Sequence, residues 1–411
     1  KSELKARAIP DDVEQLLLKA KSEWSWDERQ SVFALFLETV PDLESARKEI
    51  TDLVKKVPKL PTTLVLQERP ADHPRVTHRH HRGEFTQPKE SVRVGVPELF
   101  NELNPPTNRS EFARWLVNGE NPLTARVVMN RHWEAFFGRG IVRTAEDFGT
   151  QSAPPTHPDL LDWLATEFVR SKWSLKTMHR LMVLSATYRQ DSRISPELLK
   201  RDPRNELIAR GPRFRIDAEL VRDVALSAAG LLSKKMGGPS VFPPQPASVT
   251  DLAYGGFKWK VSEGEDRYRR SLYTFSKRTA PFAAYMTFDG TSGEACLARR
   301  ERSNTPLQAL TVLNDQVFVE AATSLAGNAL KHGDGDRRRT AAFILRRCLI
   351  RLPAGEEVAT VIGFQERQME RISSGELSAE KILGRKGSAN EAAWAMTARA
   401  VLNLDETITK E

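Results

Sequence analysis

Only two cysteines, Cys296 and Cys348, stand in a chain of 411 residues. Neither lies in a CxxC or CxxCH context. That excludes a disulfide framework, a thiolate zinc site and covalent attachment of a c-type haem within these residues. Two core or half-exposed thiols are the simpler reading, with one bridge between them left open. No stretch approaches the roughly 18 apolar residues of a membrane helix, so no span is expected. Gly138, Gly140, Gly237 and Gly238 form neither GxGxxG nor a P-loop, which removes the nucleotide-phosphate cradles. Ser240, Ser262 and Ser303 lack a GxSxG elbow, and no seryl triad is indicated. Asp147-Phe148-Gly149 shares letters with the kinase magnesium triplet, yet no VAIK-like strand or HRD-type loop accompanies it. No secretory leader follows Lys1, and the start reads as the interior of a longer polypeptide, which leaves export open.

What is present is a basic, arginine-rich, globular composition. The net charge is +8, and arginine outnumbers lysine about two to one. Arginine makes bidentate carboxylate pairs and stacks on rings, so the excess fits internal ion pairs as well as anionic ligands. A pI near 9.4 permits nucleic-acid binding, but no helix-turn-helix, RRM or zinc-finger pattern supports it.

Apolar stripes at helical spacing predict helices over 11–57, with Val13, Leu16, Leu17 and Ala20 as one and Leu43, Ala46, Ile50 and Leu53 as another. A small β element is expected over 61–100, with strands at Thr62–Glu68, Arg75–Arg82 and Ser91–Val96 and a bend at Gly83. It should pack on the helices as a unit of its own. From about residue 105 the chain reads helical again. Pro122, Pro158 and Pro306 sit at expected first helical positions, and Ser174, Asp217, Asn304 and Ser388 at expected caps. Residues 234–266, rich in glycine, proline and aromatics, predict a long packed or functional loop. Helices are expected over 306–330, 336–350, 356–372 and 388–408. The division is a helical tail (1–60), the β element (61–105), a helical core domain (106–330) and a C-terminal helical region (331–411). The fold class is mainly α.

Candidate chemistry is thin. His78, His80, His81 and Glu84 have metal-ligand composition, but a strand turns at most two of the imidazoles to one side. Surface histidines are the simpler reading, and no metal is assigned. Asp147 suits a helix-terminal or arginine-paired carboxylate, with Gly149 in a backbone conformation other residues avoid. Arg267, Arg269, Arg270, Lys277 and Arg278 alternate with Tyr268, Tyr273 and Phe275. That mixture suits guanidiniums stacked on rings and paired with Glu263, Glu265 and Asp266, or a surface for single strands or anionic glycans. Arg300, Arg302 and Asn314 allow a polar pocket beside a capped helix. The candidate polar cluster is Arg131, Asp147, His157, Arg278, Asp289, Arg300 and Asn314. Its convergence would favour an enzyme and its dispersal would not.

The chain resembles the planctomycete family called domain of unknown function 1553. The runs that carry this are NPLTARVVMNRHWEAFFGRGIVRTAEDFG at Asn121–Gly149, with His81–Leu99, Pro155–Phe168 and Trp173–Gln190. Further runs are Met236–Pro246, Gly264–Pro281 and Arg302–Asp315. The turn after Phe85 and Ser152 depart from the family pattern. The resemblance implies a domain that follows a cytochrome-c-like domain in a large exported polypeptide, at the periplasm or cell envelope. A c-type haem would then belong to the preceding domain, and no cofactor to these residues. No activity comes with the resemblance.

The expected function is an interaction or scaffold module of such a haem-linked protein, its partner the redox domain or an anionic polysaccharide. The rival is an enzyme acting on complex carbohydrate, which needs a carboxylate pair from Asp251, Glu263, Glu265, Asp266 and Asp289. Polyanion or nucleic-acid binding comes third. The test within reach is the fate of Arg126, Arg131, Arg139, Arg143, Arg267, Arg269, Arg270 and Arg278. At least half are expected to be buried and paired with acids such as Glu134, Asp147, Asp162, Asp217 or Glu294.

Overall fold

The computed structural model describes residues 10–410, apart from 59, 61, 71, 74, 101–105, 247 and 250–257. Asp251 therefore lies outside the described residues. The chain divides into two units, 1–93 and 94–411.

The first unit holds α1 (Asp11–Leu17), α2 (Trp26–Thr39) and α3 (Glu44–Lys56), then the strands β1 (Thr77–His80) and β2 (Pro88–Val92). Ser25 and Glu28 form a reciprocal box at the start of α2, satisfying two otherwise unpaired amides. The strands pair antiparallel, Thr77 opposite Val92, with an irregularity between His78 and His80. Arg82 and Gly83 make the bend with positive φ angles of 49° and 80°. Pro88 opens β2, where its missing N–H is tolerated. Residues 62–68 belong to no strand, which corrects the expectation there. β-branched composition makes a strand only when a neighbour supplies its hydrogen bonds. In this unit Val13 is a buried apolar residue, while Trp26, Ile50 and Leu66 are exposed.

The second unit has two cores. After α4 (Arg109–Leu116), which buries none of its residues, the first is built by α5 (Thr124–Phe137), α6 (Pro158–Arg170) and α7 (Leu175–Leu184). Met129, Trp133, Leu161, Leu164, Met178 and Met182 interdigitate there. Pro158 does stand at the first position of α6, and the Ser174 hydroxyl caps α7 through the Thr177 amide. Pro122 does not start α5. The helix begins two residues later because the Asn121 carboxamide accepts from the amides of Leu123 and Thr124.

The chain continues through α8 (Pro196–Arg201), β3 (Phe214–Arg215), α9 (Ala218–Ala228) and α10 (Ala283–Thr287). It then builds the second core with α11 (Pro306–Asn314), α12 (Gln316–Gly333), α13 (Arg337–Leu349), α14 (Gly355–Ser373), α15 (Ala379–Leu383) and α16 (Ala389–Leu402), and ends in β4 (Thr409–Lys410). Alanines 321, 322, 326 and 329 of α12 and 392, 393, 395 and 398 of α16 are all buried, so these two backbones approach closely. The expected helix over 306–330 is two helices. Asp315 ends the first and caps the second, its carboxylate accepting from the Val317 amide. Thr305, not Asn304, is the cap of α11.

β3 and β4 pair antiparallel, Phe214 opposite Lys410. The Lys410 ammonium donates to the Phe136 carbonyl and lies 4.1 Å from the Tyr188 ring centre, tying the end of the second core to the first. Among the described residues the architecture is mainly α with two small two-stranded sheets. Among the described residues, no helix is long and apolar enough to cross a membrane. Cys296 is exposed and Cys348 buried, and both are free thiols.

Candidate functional site

The densest sequence motif is folded by one buried side chain. Asn130 on α5 is fully buried, and its carboxamide donates to the Val142 carbonyl (3.0 Å) while accepting from the Val142 amide (2.8 Å). Both bonds replace water that a buried peptide group cannot reach. They fold the chain after α5 back on the helix, which ends at Gly138 with φ +73°. A Cβ at Gly138 would sit 2.5 Å from the Phe214 ring, so glycine is required on two counts. Arg139 and Arg143, which follow this turn, both line one cleft.

Facing them is the loop after α8. The buried Asp202 carboxylate accepts from the amides of Glu206 and Leu207, each at 2.8 Å, and Asn205 bonds both backbone groups of Arg210. The two segments, with Ser192, Ile194 and Arg299, enclose a cleft of about 610 Å³.

Six arginines line this cleft: Arg139, Arg143, Arg204, Arg210, Arg213 and Arg299; no Asp or Glu does. Arg139 is held by Glu206 at 2.8 Å and Arg213 by Asp405 at 3.0 Å. Arg210 donates to the carbonyls of Asp202 and Pro203. Arg143 and Arg204 are exposed and have no side-chain hydrogen bond or ion pair among the described residues. Arg299 acts through space on Glu134, whose carboxyl is raised above its ordinary value by burial, against the pull of Arg299 and Arg302. Glu206 and Asp405 offset two of the six, and the four that remain give the concave wall a net positive charge, which concentrates counter-ions. The aromatic faces here are already covered. Phe137 stacks on Trp133 at 4.0 Å, and the Phe214 ring lies under the Arg302 guanidinium at 4.5 Å.

The sequence-predicted polar cluster does not assemble. Arg131 and Arg278 are exposed, and the Asn314 amide bonds the Leu310 carbonyl of its own helix. Asp147 accepts from the Gly149 amide at 2.7 Å within its own turn, rather than ending a helix or pairing an arginine, and Gly149 has no positive φ. His157 bonds Thr156, and Arg300 chelates Glu219 at 2.6 and 3.0 Å. Asp289 sits in a separate network, accepting from Arg215 and from the amide and hydroxyl of Ser303. No hydrogen bond or ion pair between described residues joins any two of the seven.

The basic-aromatic segment turns inward in part. Arg269 is buried, 3.7 Å from the Tyr273 ring centre, and Arg267 pairs with Glu320. The stacking is as expected; the partners are Glu320 and the carbonyls of Gly237 and Pro239. Glu265 is taken by Ser233 and Asp266 by Lys235, while Glu263 is exposed. Of the eight arginines, Arg126, Arg139 and Arg267 pair with Asp162, Glu206 and Glu320, and Arg269 is buried among carbonyls. Arg131, Arg143, Arg270 and Arg278 are exposed. The histidine cluster lies on the exposed hairpin, where the His78 ring meets the Lys89 carbonyl at 2.9 Å. Among the described residues no group of three or more His, Cys, Asp or Glu could hold a metal.

Sequence reasoning missed the cleft because its arginines come from three separate stretches, 139–143, 204–213 and 299. One signal was available: RDPRNELIARGPRFR over 201–215 packs five arginines between prolines and a glycine.

Fold and cleft together define a mainly α-helical protein with an arginine-lined cavity that has no Asp or Glu among its lining residues. The family model described as "Protein of unknown function (DUF1553)" matches residues 108–364, and the chain belongs to that family. The match includes every residue that lines the cleft. No curated protein and no solved structure matches the chain.

Proposed function

We propose that this protein is an interaction module that holds an anionic polysaccharide in the arginine cleft. The observation that carries the reading is six arginines with no lining carboxylate in one cavity of about 610 Å³. That volume suits a few linked sugar rings. Guanidinium forks match sulfate and carboxylate groups, while Ile194, Pro203 and Pro212 offer apolar surface to ring faces. Single-stranded nucleic acid gains its affinity by stacking bases on open aromatic rings, and here those faces are occupied. The lack of a carboxylate in the lining supports binding rather than glycosidic cleavage at this cleft. The setting we propose is the one the family resemblance implies: an exported polypeptide at the cell envelope, with a cytochrome-c-like domain and its haem preceding this module as a partner in the same chain.

Titration calorimetry with heparin oligosaccharides tests the reading. Binding is expected to weaken steeply with salt, and the triple variant Arg143→Ala, Arg204→Ala, Arg299→Ala to lose about tenfold or more. Unchanged affinity in the folded triple variant overturns it. Tighter binding of a charge-matched thymidine oligonucleotide moves the assignment to nucleic acid.

A further inference from the structure

A second concave surface lies away from the arginine cleft, between α9 and α13. On α13 and its C-terminal cap the residues that line it are Arg339, Ala342, Phe343, Arg346, Arg347 and the cap residue Ile350. Their spacing of three, four, seven, eight and eleven marks one face of a helix, about 16 Å long at the usual rise. Val224, Ser227 and Ala228 of α9 form the opposite wall, and Leu352 and Pro353 close one end. The trough holds about 590 Å³.

Three observations give this trough a recipient character. Its floor is apolar: Ala228, Ala342 and Phe343 lie along it. Its charged lining is basic, Arg339, Arg346 and Arg347 with no Asp or Glu; the His332 ring packs on Phe343 at 4.7 Å, and Asp336 lies 3.7 Å from Arg339 outside the lining. Arg346 is exposed and has no side-chain partner among the described residues, whereas Arg347 is committed to the carbonyls of Ser227 and Ala228 at the end of α9. The third is strain. Ile350 ends α13 with φ +57° and is 85 % exposed, and Leu352 beside it is 77 % exposed. Glycine or asparagine ordinarily fills a left-handed helix end, and a β-branched residue there is a genuine outlier. The chain bears that strain to hold an apolar side chain in solvent at the mouth of an apolar trough.

We infer that this trough is the docking groove for an amphipathic helix of a partner protein, about three turns long, with apolar anchors and acidic flanks. Anchors at i, i+3/i+4 and i+7 would lie over Ala342 and Phe343 and against Ile350, and the acidic flanks would meet Arg339 and Arg346. An anionic glycan would leave the apolar floor unused.

A display library of random peptides of about fourteen residues, selected against the full chain, tests this, with the enriched peptides measured by fluorescence anisotropy. The expected winners carry apolar residues at helical spacing and net negative charge. Their affinity should fall about tenfold or more in Ile350→Gly and in Arg346→Glu. The unfolding midpoint of Ile350→Gly should stay level or rise, because the substitution relieves strain, which separates lost docking from lost folding. Winners without the amphipathic acidic pattern, or winners indifferent to both variants, overturn the inference. Phosphatidylglycerol vesicles that bind the chain and lose it in both variants, with no peptide doing so, overturn it in favour of a membrane surface.

Discussion

Replacing Asn130 by alanine is the most direct test of how the family motif builds the cleft. The carboxamide makes two hydrogen bonds, and its partners are the amide and carbonyl of one residue, Val142, itself buried. Truncation strands both groups away from water, at about 1–3 kcal/mol each, so a loss near 4 kcal/mol is expected. That is a large share of the stability of an ordinary domain. Guanidinium denaturation followed by tryptophan fluorescence reads it, since Trp133 lies one turn further along the same helix. Hydrogen exchange at the Val142 amide should accelerate in parallel. Asn130→Asp keeps the acceptor and sets a carboxylate against the Val142 carbonyl. It should cost at least as much at pH 7 and recover in part in acid, where the protonated group can donate. A loss below about 1 kcal/mol, or a Val142 amide as protected as before, would refute the reasoning.

Two titrating groups give further expectations. Burial raises the Glu134 carboxyl, so the folded chain keeps that proton to higher pH than the unfolded chain does, and stability falls as pH climbs through the raised value. Glu134→Gln should therefore raise the melting temperature at pH 7, by an amount that shrinks toward pH 4; an equal gain at both pH values contradicts the assignment. Burial pushes the Lys410 ammonium down to about 8, from 10.5. The unfolded chain then binds the extra proton between those values, so the stability of the natural protein relative to Lys410→Met should rise from pH 8 to 10.5 and be flat below 7. A flat difference throughout would show that the amine is solvated.

The helices were legible because burial writes a period into the chain: Leu161, Leu164 and Phe168 are spaced as one face and are buried as one face. Punctuation was less reliable. Proline at 158 and 306 began helices, while Pro122 did not, because the neighbouring Asn121 side chain supplied the cap later. The break at Asp315 escaped notice, since apolar spacing continues across it and the polar residue serves both helices. Of the seven polar residues singled out from the motifs, three are spent on local bonds: Asp147 on Gly149, His157 on Thr156 and Asn314 on Leu310. The cleft that does form needs Arg143, Arg204 and Arg299 together, and nothing local in a sequence records that meeting.

The pairing of β3 with β4 sets the order in which this protein can mature. Lys410 reaches a carbonyl 274 residues earlier in the chain, and Asp405 holds the cleft arginine Arg213 across 192 residues. Contacts of such separation are the slowest to form, because the intervening chain must first be organised. During synthesis the helices around Met129 and Leu164 can pack early, and those around Leu325 and Trp394 only afterwards. Phe214 can acquire its strand partner, and Arg213 its carboxylate, only once residues 405–410 are in place. The cleft wall therefore depends on the last residues of the described chain, and a chain interrupted before residue 405 would carry Arg213 without the carboxylate that holds it.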